Sequence, residues 1–118
     1  MNLSTLTHLN ILLVCNLGAS TGVMVSKMRT IAAESEKLRN IEIKIEAHPA
    51  GLLVEKISEF DVVLLGPQIK HRLAELEAIC HQHQRPIGVI DIRDYGTVNG
   101  GNILKTAILL RLGRETNA

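Results

Sequence analysis

Two stretches of this chain, Leu9 to Val14 and Val62 to Leu65, are almost wholly apolar and rich in branched side chains, and both are too short for ordinary helices. Runs of that kind are strands covered on both faces, which points to a parallel sheet rather than an open antiparallel one. Helical spacing fills the interval between them. Met24, Met28, Ile31 and Leu38 recur on one face while Lys27, Arg29, Glu34 and Lys37 lie on others, predicting a helix. Ile41, Ile43 and Ile45 then alternate with Glu42, Lys44 and Glu46, the pattern of a strand with one wet face at the edge of the sheet.

Pro49 is expected to open a short helical segment carrying Leu53, Val54 and Ile57, since proline suits a first turn. After Gly66 and Pro67, the residues Ile69, Leu73, Leu76 and Cys80 predict a helix to about His83. Pro86 leads into a fourth strand containing Ile87, Val89, Ile90 and Ile92. From about Asn99, Ile103, Leu104, Ala107, Ile108 and Leu110 trace a last helix that Gly113 and Arg114 should close. The stretch before it reads as loop, with Gly96 and Gly100 supplying unusual backbone angles and Asn99 a cap. Strands alternating with helices require right-handed crossovers, so the expected fold is a three-layer α/β sandwich: a four-stranded parallel sheet, order 2-1-3-4, with helices on both faces. With 118 residues the chain accommodates a single domain, 1–118, whose ordered core is expected over about 9–112.

Composition removes several classes of function. A net charge of +1 gives no broad attraction for nucleic acid, and Phe60 and Tyr95, the only aromatics, form no stacking platform for bases. Met1 to His8 lacks the features of a secretory signal, and no apolar stretch approaches the ~20 residues of a membrane span. A cytoplasmic location is therefore expected, where Cys15 and Cys80 stay reduced. No long apolar helix face is left over, which makes a monomer the default.

In the order 2-1-3-4, the crevice at the C-terminal end of strand one is the default ligand site, and Cys15 stands there. The segment Cys15-Asn16-Leu17-Gly18-Ala19-Ser20-Thr21-Gly22 joins that strand directly to a helix. Such a turn aims backbone N–H groups into one concavity, with the positive end of the helix dipole behind it, so an anion is stabilised. The same field favours thiolate over thiol and makes Cys15 a competent nucleophile. Gly18 permits close backbone approach, and the hydroxyls of Ser20 and Thr21 can donate to phosphate oxygens or cap the helix. Taken alone, a glycine and two hydroxyl residues are also what any strand-to-helix turn needs.

Other phosphate loops fit less well. A nucleotide P-loop needs Lys and Ser/Thr after its second glycine, whereas Val23 and Met24 follow Gly22, and no G-x-G-x-x-G fingerprint is present. Asp61 lies at the start of strand three, the wrong end for a phospho-aspartate receiver. Cysteine phosphatases carry an arginine where this chain has Thr21. Without a guanidinium to neutralise the developing charge, hydrolysis of a cysteinyl phosphate is slow, and handing the group to a partner is favoured over releasing it to water.

The chain also resembles a known family along most of its length. Ile11 to Gly22, Val25-Ser26-Lys27-Met28, the Leu64-Leu65-Gly66-Pro67-Gln68 core of the Val62 to Ile69 segment, and Asp91 to Gly100 with Tyr95-Gly96 and Asn99-Gly100 follow the order of the IIB components of the phosphoenolpyruvate-dependent sugar phosphotransferase system, lactose/cellobiose/chitobiose class. That resemblance implies a phosphotransferase in which Cys15 accepts phosphate from a histidine of a IIA protein and passes it to a sugar bound by the membrane transporter IIC. It implies no cofactor and no metal. Carried over by position, the backbone of Asn16, Leu17, Gly18, Ala19, Ser20, Thr21 and Gly22 and the hydroxyls of Ser20 and Thr21 would hold the phosphoryl oxygens. Asn16 and Gly22 stand where members of that family often carry a hydroxyl residue. The competing function is a low-molecular-weight phosphatase-like hydrolase using the same cysteine.

Elsewhere, Cys80 lies on the apolar stripe of its helix and reads as a core thiol. His81 and His83 fall on different helix faces with no evident fourth ligand, which argues against zinc. Gln68 could line the site or serve a turn, and Lys70, His71 and Arg72 form a modest basic rim or a solvated helix face.

Overall fold

Strand β1, His8–Cys15, is one of the two central strands of a four-stranded, wholly parallel sheet in the order β2-β1-β3-β4. The computed structural model describes residues 6–16 and 19–117, with the side chains of 19, 20 and 114–117 outside that description. In chain order the elements are β1, α1 (Ala19–Glu34), β2 (Glu42–Pro49), α2 (Leu53–Lys56), β3 (Val62–Leu65), α3 (Leu73–Gln82), β4 (Ile87–Val89), α4 (Ile92–Gly96) and α5 (Gly100–Asn117). The expected α/β class and strand order are those observed.

Alternation along the strands splits the core into two layers. Leu9, Ile11 and Leu13 of β1 and Val62 and Leu64 of β3 pack with Met24, Met28, Ile103 and Ala107 from α1 and α5. Leu12, Val14, Val63 and Leu65 face the other way, onto Leu53, Ile57, Phe60, Leu76 and Cys80 around α2 and α3. Residue Cys15 continues the odd-numbered set, so it belongs to the face covered by α1 and α5. Helix α5 approaches α1 closely at Gly100, where a Cβ would stand 3.1 Å from the Lys27 side chain and 3.3 Å from the Met28 nitrogen. Asp61, just before β3, accepts a 2.8 Å bond from the Asn10 N–H, which fixes it at the sheet end remote from Cys15.

Strand β2 is an edge, as its alternation predicts, but it is longer than that pattern and its polar face is partly covered. Lys44 sits 4.6 Å from the Phe60 ring centroid and His48 bonds Glu46 at 2.9 Å. Glu42 donates to the Thr7 carbonyl, so even-numbered β2 residues turn their backbone toward β1 and odd-numbered ones toward the open edge. There Arg29 of α1 places Nε and Nη2 at 3.1 and 2.6 Å from the Ile45 carbonyl oxygen.

Several sequence expectations are corrected. Pro49 ends β2 instead of opening a helix, with extended backbone (φ −68°, ψ 156°), and the turn begins at Ala50. Val54 is exposed, while Leu53 and Ile57 carry the packing of that segment. The third helix is not continuous from Ile69: Pro67–Arg72 is a tighter turn with a kink at Ile69 (φ −117°, ψ 22°) before α3 begins. Ile92 is outside β4 and 76% exposed, because the Asp91 carboxylate accepts from the Arg93 and Asp94 N–H groups and starts α4 at once. Gly113 does not close α5, which continues past it, since no glycine among the described residues takes the left-handed backbone that would reverse the chain.

Candidate phosphoryl site

Cys15 is the last residue of β1, paired in register with Pro49 and only 5% exposed. Its sheet neighbour on the other side is Gly66, which follows β3 and donates to the Val14 carbonyl at 2.9 Å. A Cβ on Gly66 would stand 3.6 Å from Cys15 Cβ and 2.9 Å from Gln68 Oε1, so the Gln68 amide and the cysteine flank the same point of backbone. Gln68 thus lies beside the candidate site. Although buried, Cys15 belongs to neither apolar cluster among the described residues, whereas Cys80 lies inside the α2/α3 layer. Burial raises the Cys80 thiol to about 11, with a lesser contribution from Glu77, so it is inert at neutral pH.

Of the cradle expected from sequence, Asn16 is an exposed bend residue directly after the strand. Leu17 and Gly18 lie outside the described residues. Ala19 and Ser20 form the start of α1, their side chains outside the description, and the first turn therefore begins four residues after Cys15 as the loop length requires. Gly22 is exposed, and a Cβ there would meet nothing within 4 Å, so bulk is not what selects glycine at that position.

Thr21 is the one buried polar side chain among the described residues, 4% exposed. Its Oγ1 lies 3.1 Å from the hydroxyl of Tyr95, a residue 74 positions away. Tyr95 rides on α4, a five-residue helix defined at both ends. Asp91 caps its start, and Tyr95 itself donates to the Asp91 carbonyl at 2.9 Å. At its end Val98 donates to Tyr95 O and Asn99 to Asp94 O, the paired reversal that usually employs glycine, with Val98 held at φ 53°. The unusual backbone angle of this stretch thus falls on Val98, not on Gly96 or Gly100 as expected. Sequence reading did not join Tyr95 to the loop; nothing in local spacing could have linked it to Thr21.

The remaining candidates fall away from the cysteine. His83 bonds the Ile79 carbonyl through Nδ1 at 3.0 Å, and among the described residues no three His, Cys, Asp or Glu side chains gather as a metal site. Arg72 is engaged by Glu75 at 2.9 and 3.1 Å, a pairing that lowers the Glu75 carboxyl and raises the guanidinium. It is therefore not a free member of a basic rim. Among the described residues no helix is long and apolar enough to cross a membrane.

Comparison with known proteins identifies the family. Residues 10–106 match the family model described as PTS system, Lactose/Cellobiose specific IIB subunit. The galactose-specific EIIB component of the Lactococcus lactis subsp. cremoris PTS is 37% identical over 98 residues, covering 82% of this chain and 91% of that protein. The cellobiose-specific EIIB component of Lactococcus lactis subsp. lactis is 36% identical over the same shares. Among solved structures, the cellobiose-specific IIB component of Borrelia burgdorferi superposes with a TM-score of 0.73 at 39% identity, covering 91% of this chain and 94% of that one. With the matched span running from β1 into α5 and relatives of this identity, the chain belongs to the lactose/cellobiose-specific IIB family of the sugar phosphotransferase system, a family of phosphotransferases.

Proposed function

We propose that Cys15 carries the phosphoryl group, accepting it from a phosphohistidine of a IIA protein and delivering it to a sugar held by a membrane IIC transporter. The observation that carries this reading is the contrast between the two cysteines: Cys80 is sealed in the apolar core, while Cys15 ends a central strand beside Gly66 and just ahead of the α1 N-terminus. In the first step the Cys15 thiolate attacks phosphorus in line, the S–P bond forms, the N–P bond breaks and its electron pair returns to the imidazole ring. In the second, a sugar hydroxyl oxygen attacks phosphorus, the S–P bond breaks to restore the thiolate, and the hydroxyl proton leaves to a base on the acceptor side. Positioning and charge stabilisation supply the catalysis.

Backbone N–H groups from Asn16 to Gly22, and the hydroxyls of Ser20 and Thr21, hold the phosphoryl oxygens against the positive end of α1. Thr21 in the place of a phosphatase arginine supports storage over hydrolysis. Residues 9–112 act as one carrier domain on the cytoplasmic side, meeting IIA and IIC in turn. The names of the relatives, galactose-specific and cellobiose-specific, support a sugar of one of those types.

Incubation with phosphorylated IIA tests the reading: one phosphoryl group appears on Cys15, and Cys15→Ser retains the fold but takes none. Label persisting in Cys15→Ser, or turnover of an aryl phosphate by the wild-type protein without any partner, overturns it.

A further inference from the structure

We propose that Tyr95 is a positioning residue of the transfer step: its hydroxyl donates to Thr21 Oγ1 and thereby commits the Thr21 proton to a phosphoryl oxygen on Cys15. The inference rests on Cys15 being the phosphoryl acceptor. A threonine hydroxyl has one proton and two lone pairs, and its rotor is free unless a neighbour fixes it. The phosphoryl oxygens of a cysteinyl phosphate are acceptors. If Thr21 spent its proton on Tyr95, a lone pair would be left facing the phosphoryl group, which is repulsive. Donation in the other sense, from Tyr95 to Thr21, leaves the Thr21 proton for the phosphoryl oxygen. The 3.1 Å separation accommodates either sense of donation, so phosphorylation can select one.

The surroundings are arranged to keep the tyrosine in this place. Thr21 is in the first turn of α1, and the odd-numbered alternation of β1 puts Cys15 on the α1/α5 face, where Tyr95 also packs against the apolar cluster. The Asp91 cap and the Val98 reversal bracket α4, and a β-branched residue at φ 53° is retained there despite its conformational cost. Thr21 is buried and Tyr95 half-buried, so the contact is partly shielded from water, which strengthens the hydrogen bond and penalises its loss.

Tyr95 is the sole tyrosine of the chain, so growth on meta-fluorotyrosine labels this position alone. The fluorine NMR resonance is expected to move when phosphorylated IIA loads Cys15, and to stay still on loading of Thr21→Val. In rate measurements, Tyr95→Phe should lower the rate of Cys15 phosphorylation at saturating IIA by about threefold to tenfold with its KM unchanged, the loss expected for the one neutral hydrogen bond that fixes the Thr21 hydroxyl. Thr21→Ser, which keeps the hydroxyl, should stay within about twofold of wild type on the same reasoning. Adding Tyr95→Phe to Thr21→Val should cost nothing further. A fluorine signal unmoved while wild-type Cys15 is loaded, or Tyr95→Phe at the wild-type rate, overturns the proposal and leaves the carrier reading standing. Absence of label on wild-type Cys15 overturns both. The fluorine measurement uses the wild-type fold and decides the matter even if Tyr95→Phe is unstable.

Discussion

Gly66 abuts Cys15 at the mouth of the sheet, where a methyl group in place of its hydrogen would stand 3.6 Å from the cysteine Cβ. Its backbone, φ −63° and ψ 144°, is one that any residue before a proline adopts, so the absence of a side chain serves space and not conformation. Gly66→Ala should therefore leave stability unchanged or raise it by up to about 1 kcal/mol through the unfolded state. The new Cβ would meet Gln68 Oε1 at 2.9 Å and drive that flexible amide aside. Phosphoryl acceptance should fall by about threefold to tenfold as the site geometry shifts. Urea unfolding and the rate of labelling by phosphorylated IIA, measured on the same preparation, check both halves.

Cys80 makes stability fall on the alkaline side. Its folded thiol stands at about 11, above the ordinary 9 that the unfolded chain presents. Below 9 both states hold the proton and the full contribution is present; between 9 and 11 the unfolded state loses its proton first, so unfolding becomes easier as pH rises. The span from 9 to about 11 corresponds to about 3 kcal/mol. Cys80→Ala should flatten that part of the pH profile while lowering stability at neutral pH. In native protein at neutral pH an alkylating agent should leave Cys80 untouched until denaturant is added.

Val98 carries backbone strain, and Ile103 carries core packing. Val98→Gly should change unfolding free energy by less than about 1 kcal/mol, because release of the left-handed valine offsets the loss of a half-buried side chain. Ile103→Ala, at a position 1% exposed, should cost about 2 to 5 kcal/mol. Denaturant titration of the two variants side by side tests the assignment; equal losses would contradict it.

The sheet was legible because β1 and β3 consist of residues that only a doubly covered strand can accommodate, and the alternation of Ile41 to Glu46 marked the edge. The position of Cys15 at the end of β1, ahead of α1, was legible for a similarly local reason. Local pattern failed where a side chain satisfied the backbone from outside the period. Ile92 continues an apolar series, yet the carboxylate of Asp91, the residue before it, accepts from the Arg93 and Asp94 N–H groups and turns Ile92 into the first residue of a helix. Gly113 looks like a stop, but glycine ends a helix only by adopting the reversed angle, and here it does not. The Thr21–Tyr95 contact depends on where the sheet brings α4, after the last strand, beside the start of α1, so its information is spread over 74 positions and absent from any window.

The guanidinium of Arg29 on the Ile45 carbonyl has a bearing on how these molecules behave in a crowd. An outward acceptor on a bordering strand is an invitation to another polypeptide, and here the chain answers it from within, with a charged group that an intruder would have to evict and rehydrate. The chain is thereby discouraged from adhering to its own kind.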